Sequence, residues 1–400
     1  MMSKALILAL SFLCFSVHAE TKFNFSGDAQ ARGYFLNGTG PDHTQAFNHL
    51  FRLNADAAPD EHLTIKTGLV LAAESWEGDS HRTILSGAGN AVGGTNEDGT
   101  GNGNAVHLDH AFIEYKVDGW ITSFGRHAVS TPGNFVSSDD RRDRIQVLKF
   151  MNNHDVLALV YDKRAEGSLT NNRDDVGMYS ANYYGSIPLF KYALQGAVWR
   201  SKKYSATTSA PNSVVNLDNV KQFTPQLSGS LLGIDYNLYY TLLWGGAALF
   251  KNDHHSAALR LTKDLEVVKV DYESVFTKRG GLVASGFDTL SSVINNSMDH
   301  NQSNIKLRTI GVGLGVTKKD ESVHMIKVSK ALTTDLTVGL GAGCAKVLTA
   351  AAGNTIEKDT VLDTTAKYSF SKNLDLLGAY GKFFGDNKDH AGSLTLAAKF

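Results

Sequence analysis

Cysteine, proline, net charge and long apolar runs are all scarce in this 400-residue chain, and each scarcity excludes something. There are two cysteines, and Cys14 falls inside the apolar segment at the N-terminus. A chain processed after that segment keeps Cys344 alone, so no intramolecular disulfide can staple it and a large fold must be held by other means. No run of about 18 apolar residues follows the N-terminal segment, which excludes a helical membrane protein but leaves membrane strands open. The 39 Lys and Arg are matched by 40 Asp and Glu, so no global charge draws the chain towards nucleic acid or another polyanion. Against six prolines stand 38 glycines, 20 phenylalanines and 14 tyrosines. With a mean hydropathy just below zero, that describes a β-rich chain of modest hydrophobicity.

The N-terminus reads as an export signal. Lys4 gives one positive charge, an apolar run continues to Val17, and Val17-His18-Ala19 offers small residues where a signal peptidase cuts. The expectation is a signal peptide over 1–19 and one mature domain over 20–400. Phe12-Leu13 lacks the small residue that a lipoprotein signal needs before its cysteine, so no lipid anchor at Cys14 is expected.

The informative feature of the remainder is alternation. Phe23, Phe25, Gly27, Ala29, Ala31, Gly33 and Phe35 alternate with Asn24, Ser26, Asp28, Gln30, Arg32 and Tyr34. Phe47, His49, Phe51 and Leu53 alternate with Asn48, Leu50, Arg52 and Asn54. Val268, Val270, Tyr272, Ser274 and Phe276 oppose Val267, Lys269, Asp271 and Glu273, and the chain ends with Leu394, Leu396, Ala398 and Phe400 on one face. Successive strand residues point to opposite sides of a sheet, so each segment has an apolar and a polar face. These segments run about 9 to 14 residues, against a usual 5 or 6 in soluble proteins. A strand tilted across a bilayer needs roughly 9 to 11. Full charges on the polar faces suit a watery lumen better than a packed core.

Connections alternate in length. Turns are expected at His62, Asn237, Asp264, Asp335 and Asn373, each followed by Leu, with Asp118-Gly119 as a hairpin turn. Longer polar stretches cover 75–105, 131–143, 201–224, 278–304 and 349–358. Short turns on one side and long loops on the other is the asymmetry of outer-membrane barrels, periplasmic against extracellular. Tyr115, Trp120, Tyr236, Tyr239, Tyr240, Tyr368 and Phe370 lie beside the short turns and predict an aromatic girdle at one interface. The expected fold is therefore an all-β, transmembrane antiparallel β-barrel of about eighteen strands, with sixteen as the alternative count. The awkward stretch is 305–332, read as a structured loop or inserted hairpin over 305–317 and a strand over 321–332, with a short helix considered for 286–298.

Residues 123–167, with a strand ending in Gly125-Arg126, a loop, a strand, an Asn-rich turn at Asn152-Asn153 and another strand, resemble the third-loop region of large porins. The similarity is to the campylobacter-type major outer membrane porins and their OprD-like relatives. The opening FSGDAQARGYF (25–35) and the closing SLTLAAKF (393–400) fit the same family. The resemblance implies a water-filled channel for passive diffusion of ions and small hydrophilic solutes, trimeric or monomeric, with one loop folded into the lumen. The alternative is a substrate-specific channel or a structural, adhesive barrel. Expected partners are outer-membrane lipid and lipopolysaccharide, the solutes, and the barrel-assembly machinery, which reads a terminal aromatic such as Phe400.

The densest charge is Asp139, Asp140, Arg141, Arg142, Asp143 and Arg144. As a solvated loop its ion pairs would contribute little. At a constriction the same opposed charges would set a transverse field and an ion preference. Wall candidates facing the lumen are Arg32, Arg52, Lys66 and Arg126, the last on a poorly alternating strand. Residues 94–104 carry oxygen ligands and glycines but not the carboxylate spacing of a calcium loop. His254-His255, read as part of a loop, lacks a third ligand. No metal site or cofactor is assigned. No grouping of nucleophile, base and orienting residue marks an enzyme.

Overall fold

The computed structural model describes residues 21–38, 43–75, 107–137, 140–152, 154–165, 176–200, 218–246, 253–284, 286–295, 307–311, 320–349 and 356–400. Eighteen strands follow one another: β1 (Lys22–Asn37), β2 (His43–Ala58), β3 (Leu63–Ser75), β4 (His107–Val117), β5 (Trp120–Val129), β6 (Asp140–Phe150), β7 (Val156–Ala165), β8 (Val176–Ile187) and β9 (Phe190–Arg200). They continue as β10 (Val220–Leu231), β11 (Ile234–Gly245), β12 (His254–Asp264), β13 (Lys269–Lys278), β14 (Asp320–Ala331), β15 (Leu336–Thr349), β16 (Glu357–Ser371), β17 (Leu374–Gly385) and β18 (His390–Lys399). Each pairs antiparallel with the next. β1 pairs with β18 from Asp28↔Lys399 to Asn37↔His390, so the sheet closes and has no free edge. Just beyond that ladder, Gly27 and Phe400 exchange both backbone hydrogen bonds, at 3.0 and 3.1 Å. The sixteen-strand alternative is thereby discarded.

Alternation sets the two faces. Phe23, Phe25, Phe47, Phe124, Leu340 and Leu394 lie on the outer surface, each more than half exposed. Their neighbours along the strands point inward. Such an apolar outside is stable only against lipid, and each strand is long enough to cross it.

Even-to-odd strand connections are short. Asp118 and Gly119 have φ of 46° and 75°, the left-handed pair of a type I′ turn. At the β2–β3 turn the Asp60 carboxylate accepts the His62 and Leu63 N–H groups at 2.7 and 2.8 Å. Those two hydrogen bonds hold its pKa below the ordinary carboxylate value. The turn expected at Asn237 is displaced. Leu232 and Gly233, with φ of 52° and 70°, make it instead, and Asn237 sits inside β11 opposite Ser228 and Arg260. Tyr239 also leaves the aromatic girdle, because it points inward and is buried. Tyr115, Trp120, Tyr368 and Phe370 remain on the outer surface beside short turns. Loop boundaries shift too: β6 begins at Asp140 and β10 at Val220, so parts of the stretches read as loops at 131–143 and 201–224 are wall.

Candidate functional site: the barrel lumen

The lumen is not an open tube. After β13 the chain turns inward, and Val283, Phe287, Leu290, Val293, Ile294 and Ile310 are all buried in one apolar cluster. They pack on inward side chains of β11 to β18, among them Tyr239, Ala258, Val275, Val323, Met325, Val361 and Phe383. This plug is irregular. Residues 286–295, where a short helix was considered, form bends joined to Arg308 by a single bridge at Ile294, and 296–298 lie outside the described residues. Without a helix or a full strand ladder, its backbone is satisfied by bonds between its own segments, such as Asn295 N–H to the Arg308 carbonyl at 3.0 Å, and by side chains. The Asn295 side chain serves twice, accepting the Ile310 N–H at 2.6 Å and donating to the Ile310 carbonyl at 3.0 Å. Asp363 on β16 clamps the plug to the wall through the Ser292 N–H at 2.6 Å and the Ser291 and Ser292 hydroxyls at 3.2 and 2.8 Å. On β17, Gly381 leaves the space that Val293 occupies; a Cβ there would come within 2.7 Å of Val293 Cγ1.

A second segment enters from the β5–β6 connection. Thr131 braces it by accepting the Val136 and Ser137 N–H groups at its hydroxyl, and a single 3-10 turn, Pro132–Asn134, aims Phe135 inward. Phe135 is buried between Tyr239 on β11 and Phe287 of the plug, with ring centroids at 5.2 and 5.1 Å. Its carbonyl accepts the Ala284 N–H at 2.8 Å, tying the two inward segments together.

The inner faces of β2 to β10 are mostly polar by contrast. Arg52 holds Asp28 through two hydrogen bonds at 2.8 and 2.9 Å. Glu114 receives Lys66 at 3.6 Å and Lys116 at 2.9 Å. Arg144 and Asp162 form a two-pronged pair at 2.7 and 3.1 Å, both buried. Ser180, Asn182, Gln222, Thr224 and Thr241 carry the polar lining round the wall. On the plug side, Arg260 pairs with Glu273 on β13 and at 3.1 Å with Asp288 of the plug.

These placements correct the sequence reading in several respects. The charged cluster does not fold across the lumen; the apolar Phe135 does. Asp139 lies outside the described residues, and Asp140, Arg141, Arg142, Asp143 and Arg144 belong to β6. Alternation then separates them. Arg142 and Arg144 share the inner face with Gln146, whereas Arg141 and Asp143 share the outer face with Ile145. Arg126 is likewise on the outer face. It is opposite Asp143 and Ala111, two residues from the exposed Phe124, with Nε donating to the Asp109 carbonyl at 3.3 Å. Arg141 forms an ion pair with Asp109 at 2.6 Å on that same surface. Arg32, Arg52 and Lys66 point inward, Arg32 almost fully buried with its Nε donating to Thr395 at 2.9 Å. His254 and His255 are consecutive in β12 rather than in a loop, so they face opposite sides and cannot share a metal; His255 meets Tyr240 at 2.6 Å on the outside. Residues 94–104 lie outside the described residues. Among the described residues no three His, Cys, Asp or Glu groups converge as ligands.

The plug is what sequence reasoning missed. Val283, Phe287, Leu290 and Ile294 are spaced four, three and four residues apart, a helical period that the irregular backbone of this segment does not follow, so the periodic signal points away from a plug.

No protein-family model matches the sequence, and no curated protein matches it in sequence. Solved structures do match in fold. A BenF-like porin from Pseudomonas fluorescens Pf-5 superposes with a TM-score of 0.64 at 12% identity, covering 95% of this chain and 98% of that one. Pseudomonas aeruginosa OccK9 (OpdG) gives 0.63 at 11%, covering 95% and 98%. Pseudomonas aeruginosa OpdK, solved with vanillate, gives 0.61 at 11%, covering 94% and 98%. The shared feature is the fold: this chain has the eighteen-stranded closed barrel of these outer-membrane porins.

Proposed function

We propose that the chain is a porin of the outer membrane, passing ions and small hydrophilic solutes by diffusion through the part of the lumen that the plug leaves open. The observation that carries this reading is the division of the interior. The plug and Phe135 pack chiefly against β11 to β18, while the opposite wall keeps a polar, charged lining that a sealed core would not tolerate. Within this reading Arg32, Arg52, Lys66, Arg142 and Arg144 set the field along the pathway, and low-dielectric walls strengthen it. Export through the signal peptide over 1–19 and assembly through the strand ending at Phe400 belong to the same proposal. The long loops then face the exterior and the short turns the periplasm.

A narrowed lumen favours small solutes over a general pore, which brings the substrate-specific alternative forward. The vanillate in the OpdK structure makes a small aromatic acid a sensible first solute to try. Liposome swelling with sugars of graded size and with such an acid tests this. Uptake should fall steeply with solute size. Equal permeation of large and small solutes would remove the narrowed-channel reading.

A further inference from the structure

We propose that the outer surface over β8 and β9 binds a phosphorylated lipid of the outer leaflet, one acyl chain lying in the groove over Ala181 and Gly196 and the phosphate meeting Arg200 and Lys221. The inference rests on the outer-membrane reading above, since it places the long-loop end of the barrel in the outer leaflet.

A groove of about 890 Å³ opens on this face. Its cross-section follows from one row of directly paired residues: Leu159 on β7, Ala181 on β8, Gly196 on β9 and Phe223 on β10. Leu159 and Phe223 stand proud, 50% and 41% exposed, and the two small residues between them form the floor. A Cβ built on Gly196 meets nothing within 4 Å, so the space above the floor is open. The lining reaches from Ile145 on β6 to Trp244 on β11, so the groove crosses the strands and is deepest over Ala181 and Gly196, where a hydrocarbon chain can lie. An open apolar trough in a lipid-facing wall is filled by whatever apolar chain is at hand, so shape alone confers no selectivity.

Selectivity comes from the rim of the groove on the long-loop side. One row nearer the long loops, Tyr179 pairs with Val198 and packs on Tyr161 with ring centroids at 5.0 Å. At the same level Lys221 pairs with Trp244 and Val198. Beyond them comes Arg200, opposite Gly177. The surface therefore passes from aliphatic to aromatic to cationic along one line, the order of acyl chain, interface and phosphate in an anionic lipid. Arg200 shares one N–H with the Asn219 side chain, and a guanidinium has five to offer. Asp218, the neighbouring acid, is bonded by Asn219 at 3.0 Å. A second copy of the chain is the poorer occupant. Its own lipid-facing belt would have to cover Arg200 and Lys221 with apolar side chains, and charges buried so are costly.

The test uses the full-length protein extracted from outer membranes in mild detergent, with native mass spectrometry and phosphorus analysis of retained lipid. Two variants separate shape from charge. Gly196→Leu puts a side chain into the groove at a position where a Cβ meets nothing within 4 Å, and Arg200→Gln with Lys221→Gln removes the phosphate ligands. The wild type should retain a phosphorylated lipid, and each variant should lower the retained amount roughly tenfold or more. Single-channel conductance should stay unchanged, because these side chains face away from the lumen. Absence of phosphorylated lipid from the wild type, retention by either variant equal to that of the wild type, or a second copy that Gly196→Leu dissociates would overturn the proposal. The porin reading fails by a different observation, a wild-type barrel that does not conduct.

Discussion

Phe135 and Tyr239 stack with ring centroids 5.2 Å apart and planes 28° from parallel, although one belongs to the β5–β6 connection and the other to the inner wall of β11. Five strand-to-strand steps of the wall separate them, so the contact is a chord across the lumen. Gly133 makes it possible: at φ 64° it turns the segment, and any Cβ there would run into the Tyr239 hydroxyl.

That chord should limit flow. Phe135→Ala removes a buried aromatic contact of the kind that costs about 3 to 5 kcal/mol, and it frees the segment from both Tyr239 and Phe287. Single-channel recordings should show a larger, noisier conductance in Phe135→Ala, with the barrel itself still folded. A trace matching the wild type would mean that the chord does not bound the pathway.

The clamp at Asp363 should matter as much as the ring stack. Its carboxylate oxygen receives three hydrogen bonds from Ser291 and Ser292, and bonds to a charged group contribute about 1.5 to 3 kcal/mol. Asp363→Ala should release the plug and expose 282–295 to added protease, whereas Thr364→Ala, one residue along and outward, should not. Equal protease resistance in the two variants would count against the clamp.

Alternation within β6 makes a sharper electrical prediction than the whole charged cluster does. Arg142→Gln should shift the reversal potential towards cation preference, and Arg141→Gln, on the outer face, should leave it unchanged. Low salt is needed, because the Debye length is about 10 Å at 0.1 M. Identical shifts in the two variants would show that the strand's facing is misassigned.

Sidedness can also be read from folding. Ile326 lies midway along β14 on the outer surface, 48% exposed, and Lys327 follows it on the inner face. An arginine at the bilayer midplane costs about 2 to 4 kcal/mol, so Ile326→Arg should lower the yield of heat-modifiable folded barrel while Lys327→Ala should not. The same substitution at Val270 should be milder, since it sits next to the β12–β13 turn, where the cost falls to about 0 to 1 kcal/mol.

Wherever one face meets lipid, the wall was legible in the sequence. Phe23 and Phe25, Val270 and Tyr272, Leu394 and Leu396 all fall outside because a shift of one residue would put charges in lipid. The turn at Asp118-Gly119 was legible for an equally local reason, its left-handed pair. Asn237 was not, because an Asn-Leu pair inside a strand looks like its counterparts at Asp335 and Asn373, and the true turn carries Leu at a positive φ, which sequence preferences disfavour. Arg126 was misplaced because Gly125 and Ala128 blur the alternation of β5. The lumen contents were hidden for a deeper reason. Val283, Phe287, Val293 and Ile310 are buried by tertiary contacts between segments far apart in sequence, and the helical spacing of Val283, Phe287, Leu290 and Ile294 belongs to a backbone that forms no helix.

The most direct test of the account is conductance of the purified, folded barrel in a planar bilayer with a salt gradient. A discrete, ohmic single-channel current is the predicted result, smaller than an unobstructed eighteen-stranded barrel would give and enlarged by Phe135→Ala. A barrel that folds, inserts and carries no current, with or without that substitution, would contradict the claim that its polar wall lines a path for solutes.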